Sequence, residues 1–147
     1  MKTTTDYTLQ QHNYLKSVIA ISRTYLSLGR GLNTFLGPHG LTMAQFGVLE
    51  VLFHLGPLRI GEIIEKTLST SGNMTVVIKN LEKDGLIIRT CDHEDKRAFK
   101  IDLSAKGQAL ITLVFNEHLL FLESFFSHLE SEELNLLREL LKKLNGL

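Results

Sequence analysis

The chain has 147 residues, 44% hydrophobic and 22% charged, which suits one globular domain with apolar material to spare for a subunit contact. Its formal net charge is zero, so the molecule as a whole carries no polybasic footprint for a polyanion. A single cysteine, Cys91, excludes an intrachain disulfide, and the polar stretch from Met1 to Gln11 lacks the apolar core of a signal peptide. No apolar run approaches the roughly eighteen residues of a membrane span, so a cytoplasmic protein without membrane contact is expected.

The first predicted helix runs from Leu9 to Leu36. Leu15, Val18, Ile19, Tyr25, Leu26, Leu32, Phe35 and Leu36 recur at helical spacing, and Gly37-Pro38 is expected to stop it. Thr42-Met43-Ala44-Gln45 then spells a capping box, with Leu41 and Phe46 placed to close a hydrophobic staple. The helix it opens continues to Gly56-Pro57. A short third helix is predicted from Arg59 to about Leu68, with Ile60, Ile63 and Ile64 inward.

A turn at Ser69 to Gly72 leads into a fourth helix, from about Ser71 to Asp84, with Gly85 in the position of a C-terminal glycine cap. The period then changes. Leu86 to Cys91 and Ala98 to Leu103 read as two strands of a hairpin around a polar tip, Asp92 to Arg97. Ser104 is placed to cap a long fifth helix reaching about His128. A sixth, from about Ser131, carries Leu134, Leu137, Leu141 and Leu144 at coiled-coil-like spacing. Charge is uneven along this order. Nine Lys/Arg face eight Asp/Glu between Arg59 and Lys106, and three face six from Gly107 onward.

Three helices and a hairpin between long terminal helices resemble a winged helix-turn-helix. The motifs narrow this further. Leu41-Thr42-x-x-Gln45-x-x-Val48-Leu49, Leu81-Glu82-Lys83-Asp84-Gly85-Leu86-Ile87-x-Arg89, and Asp95-Lys96-Arg97 followed by Leu103-Ser104-x-x-Gly107 together resemble the MarR family of transcription regulators. The family's usual wing reads Asp-Arg-Arg and then Leu-Thr-x-x-Gly, so Lys96 and Ser104 are conservative departures. The resemblance covers residues 41 to 107. It implies a mainly α fold with a small β-hairpin wing, in one domain over 1–147. Residues 41–103 would form the DNA-binding lobe, and 9–36 and 104–147 the dimerisation helices. The stretch from Ser71 to Glu82 is also similar to the family's quinone- and electrophile-responsive members.

A recognition helix presents short polar side chains to base edges in the major groove. The fourth helix offers Thr70, Ser71, Asn73, Thr75 and Lys79 near its start, with Val76 placed to touch a thymine methyl. Asn73 has the donor and acceptor needed to pair with adenine. Ser and Thr at a helix start also serve as ordinary caps, so Thr70 and Ser71 allow either role. Family resemblance implies that Arg97 enters the minor groove, with Lys96 beside it and Asp95 holding its guanidinium; the alternative is a solvated charged turn. Adjacent half-sites of a pseudo-palindromic operator lie about 34–36 Å apart, which requires a homodimer.

The resemblance also implies a small aromatic or electrophilic effector, or thiol modification, releasing a repressor from DNA. His12, Tyr14 and Tyr25 with Phe46 and Phe53 are candidate pocket walls, though residues of these types are more often plain core. Cys91 is the candidate redox residue, with Arg89 and Lys100 expected near enough to favour the reactive thiolate; a passive strand thiol is the alternative. The six histidines are scattered without zinc spacing, so no metal or cofactor is expected. Of two other functions, a winged-helix protein-interaction module that does not bind DNA stays compatible with the chain, and a small enzyme is not expected. Against the second, the sequence holds no phosphate-binding glycine loop and no nucleophile elbow.

Overall fold

The computed structural model describes residues 5–67, 71–95 and 98–147. Among them are six α-helices and one two-stranded sheet: α1 Leu9–Leu36, α2 Met43–Leu55, α3 Ile60–Thr67, α4 Ser71–Lys83, β1 Ile87–Cys91, β2 Phe99–Leu103, α5 Ala105–Phe125 and α6 Ser131–Leu144. The mainly helical class with a β-hairpin wing is therefore observed.

Local chemistry sets most boundaries. Thr42 caps α2 through its hydroxyl, which accepts from Gln45 N at 3.1 Å, while Gln45 Oε1 accepts from Thr42 N at 2.9 Å. Leu41 and Phe46, the expected staple pair, are both buried. Thr8 and Gln11 form a second box at the start of α1. At the far end of α1 the expected stop at Gly37-Pro38 is only half the event. A 3-10 turn follows over Gly37–His39, and the chain reverses at Gly40, whose φ of 68° is easy only for glycine.

The core belongs to the middle of the chain. Phe46, Val48, Leu49 and Leu52 of α2 meet Ile63 of α3, Met74, Ile78 and Leu81 of α4, Ile87 and Ile101 of the hairpin, and Ile111 and Val114 of α5. Each such side chain contributes about 1.5–3 kcal/mol by leaving water. The two ends differ. Leu36 is the one buried residue of α1, and α6 has none. Their apolar stripes, among them Leu15, Val18 and Leu26 on α1 and Leu137, Leu140 and Leu144 on α6, stand in solvent in the single chain.

Candidate nucleic-acid interface

Helix α4 is two-faced. Met74, Val77, Ile78 and Leu81 are buried, which fixes the helix against the core. Asn73, Thr75, Val76 and Lys79 lie on the outward surface. Val76 is 56% exposed, a β-branched apolar side chain displayed among polar neighbours. Thr70, Lys96 and Arg97 fall outside the described residues, as do the side chains of Ser71 and Gly72. Of the nine residues expected to touch DNA, four are thus brought together on α4, and Asp95 lies in the wing loop.

The junction from α4 into the wing is a closed set of hydrogen bonds. Leu86 N donates to Leu81 O at 3.0 Å and Gly85 N to Glu82 O at 3.0 Å, a Schellman closure with Gly85 at φ 71°. Ser104 ties the start of α5 onto this corner. Its hydroxyl donates to Gly85 O at 2.6 Å and accepts from Gly107 N at 2.9 Å. Lys106 Nζ donates to Asp84 O at 2.8 Å, adding a charge-assisted bond. Gly107 lies so close to the Leu86 carbonyl that any Cβ would collide with backbone. The motif Leu103-Ser104-x-x-Gly107 is therefore a clasp holding α4, the hairpin and α5 in one geometry.

The wing pairs antiparallel, Ile87 opposite Leu103 through Cys91 opposite Phe99. Leu58, just before α3, adds one bridge: Leu58 N donates to Ile101 O at 3.0 Å and Ile101 N to Leu58 O at 2.7 Å. Arg89 pairs with Glu82 and lies over the Phe99 ring, 4.3 Å from its centroid. The Arg89 hydrogen bond holds the Glu82 carboxyl below the usual carboxylate range.

Asp92 departs from its expected place in the solvated tip. It is completely buried. Arg59 Nε donates to its Oδ2 at 2.7 Å, Glu94 N donates to its Oδ1 at 3.0 Å, and Lys100 Nζ stands 4.0 Å away. The Glu94 backbone N–H first, and Arg59 second, hold the Asp92 carboxyl below its ordinary value despite burial. The polar tip therefore begins only after Asp92. Sequence gave no signal for this, because Arg59 is 33 residues distant.

Cys91 is exposed, and its Sγ lies 3.7 Å from the Asp92 carbonyl oxygen. The two cations expected beside it are engaged by carboxylates: Arg89 by Glu82, Lys100 by Asp92. Among the described residues no group of three or more His, Cys, Asp or Glu is arranged to hold a metal ion, and no helix is long and apolar enough to cross a membrane.

A family model for MarR matches residues 41–99, the stretch just described. The HTH-type transcriptional regulator MhqR of Bacillus subtilis is 34% identical over 129 residues, covering 88% of this chain and 89% of that protein. The chain belongs to the MarR family. It is a DNA-binding transcription regulator, not an enzyme. Solved MarR-family structures share its fold. AbsC from Streptomyces coelicolor superposes with a TM-score of 0.82 at 22% identity, over 97% of each chain. A cysteine-to-serine mutant of Escherichia coli MarR, in complex with operator DNA, does so with a TM-score of 0.79 at 23% identity, over 95% of this chain and 99% of that one.

This MarR-family chain also holds an aromatic cluster where α1, α2 and α5 meet. The Phe46 ring centroid is 5.2 Å from that of His118 and 6.2 Å from that of Phe35; the Phe53 centroid is 5.7 Å from that of Phe115, which in turn lies 5.7 Å from that of His118. His118 Nδ1 is buried there without a hydrogen-bond partner. Burial lowers the His118 pKa, with Glu50 pulling weakly the other way. Of the five candidate pocket residues, Phe46 and Phe53 belong to this cluster. The other three lie along the exposed part of α1: His12 meets Tyr7 edge-on, Tyr14 accepts a hydrogen bond from Gln10, and Tyr25 is 69% exposed. His118 escaped the sequence reading because an isolated histidine in an apolar helix carries no motif.

Proposed function

We propose that this MarR-family regulator is a repressor that binds a pseudo-palindromic operator as a homodimer. Helix α4 enters the major groove, with Asn73 bonding a base edge, Val76 meeting a thymine methyl, and Thr70, Ser71, Thr75 and Lys79 contacting bases or phosphates. Arg97 and Lys96 reach the minor groove from the wing, beside Asp95. Residues 41–103 act as the reading lobe, while 9–36 and 104–147 bring two lobes together. The observation that carries this proposal is the outward face of α4, where an exposed Val76 sits among Asn73, Thr75 and Lys79, opposite a fully apolar inner face. The exposed stripes of α1 and α6 support the dimer, since a monomer would leave them in water.

The effector of this proposal is a small aromatic molecule carrying a polar substituent. What supports this reading is the cluster of Phe35, Phe46, Phe53 and Phe115 rings around His118, whose buried Nδ1 has no hydrogen-bond partner. An electrophile acting on the exposed Cys91 is a second route to release.

Asn73→Ala tests base reading. With labelled duplexes recovered from a random pool, the variant should lose about 1–3 kcal/mol of preference for the recovered site over a scrambled one. Equal weakening on both duplexes would remove Asn73 from base recognition.

A further inference from the structure

We propose that Asp92 is the positioning residue of the wing, setting the direction of its tip by anchoring the tip's base to Arg59 at the start of α3. A hairpin of five residue pairs is marginal by itself and does not fix where its loop points. Here the loop is tied at its root. Asp92 N donates to Ala98 O at 3.3 Å and Ala98 N donates to Asp95 O at 2.9 Å, closing the segment that leads into and out of the tip. The same residue's carboxylate crosses to Arg59 by two guanidinium nitrogens, Nε at 2.7 Å and Nη2 at 2.5 Å.

Arg59 is itself fixed. Its backbone N–H donates to Glu62 Oε2 at 2.7 Å, and the residue before it, Leu58, is paired with Ile101 in β2. The wing is thus held to the segment that opens α3 at two neighbouring points, one through backbone and one through the ion pair between the buried Asp92 carboxylate and the exposed Arg59 guanidinium. A buried carboxylate tolerates only a hydrogen-bonded, charged surrounding, so the pair accepts one arrangement and resists slippage. The described part of the tip, His93 to Asp95, takes its course from this anchor. This inference rests on the proposal that the wing contacts DNA.

A double-mutant cycle tests it, using a fluorescein-labelled duplex recovered from the random pool and the full-length protein. Arg97→Ala should weaken binding. Asp92→Asn should weaken it by roughly threefold to tenfold, and the double variant should bind no worse than Arg97→Ala alone, because both act on the same contact. Asp92→Asn combined with Asn73→Ala should instead multiply the two losses. Where Asp92→Asn lowers the folded fraction, Arg59→Lys replaces it in the cycle, since lysine keeps the charge and drops the two-pronged geometry. Unchanged binding by Arg97→Ala would overturn the wing proposal and this role together. Weakened binding by Arg97→Ala, with an Asp92→Asn loss that is absent or fully multiplicative, would overturn the positioning role alone.

Discussion

His118 sits among Phe35, Phe46 and Phe115 with its Nδ1 shielded from water and unpaired. Burial lowers its pKa in the folded state, so as pH falls the unfolded chain takes up the proton first. Stability should therefore decline as pH drops from the ordinary histidine value, about 6.5, toward the lower folded value. His118→Phe removes both the titration and the unsatisfied nitrogen. It should stabilise the protein by about 1 kcal/mol at neutral pH, and the gain should grow on acidification through that window. Melting temperatures of both proteins across the range check this, and a difference independent of pH would contradict it. Asp92 runs with the opposite charge logic. Its depressed carboxyl supplies stability above the unfolded value, about 3.9, which is lost only as pH falls through the lower folded value. Neither residue was legible as a special position. His118 owes its surroundings to elements far away in sequence, and Asp92 joins a local bond from Glu94 N to an ion pair with Arg59, 33 residues back, so neither carries a spacing to read.

Elements were legible wherever their ends are set by near neighbours. Thr42 with Gln45, Gly85 after Lys83, and Ser104 before α5 act across two to four residues, so spacing alone reports them. Gly40 and the Leu58–Ile101 bridge were not read. The first is masked by the louder Gly37-Pro38, and the second joins segments 43 residues apart. The clasp at Ser104 and Gly107 makes a prediction of its own. Gly107→Ala would drive a methyl into the Leu86 carbonyl and force the corner of α4, β1 and α5 to open. A loss of about 1–3 kcal/mol in chemical denaturation is expected, with DNA affinity falling beyond what the unfolded fraction accounts for. An unaltered midpoint would show that the corner relaxes without strain.

At the scale of the whole molecule, the outline was visible because burial follows periodicity. The apolar positions of residues 41–114 close one core, while α1 and α6 keep apolar stripes that the single chain leaves uncovered. Net charge was a poor guide. The formal charge is zero, and among the described residues near the wing Arg59 is paired with Asp92 and Arg89 with Glu82. The family motif, rather than any electrostatic footprint, carried the function. The stripes predict that Leu140→Glu, which puts charge into the exposed seam of α6, yields monomers by light scattering while helix content is retained. Operator affinity should drop by about tenfold or more, since one lobe alone cannot hold two half-sites. A dimer of unchanged mass would place the subunit contact elsewhere.

In the proposed mode of binding, two copies of this chain read a symmetric site through α4. This mode is tested most directly by selecting bound duplexes from a random DNA pool with the purified protein, and measuring the mass of the resulting complex. An enriched palindrome with half-sites one helical turn apart, bound by two chains, is expected. A folded protein that enriches no sequence at low salt, or that binds one half-site as a monomer, would contradict it.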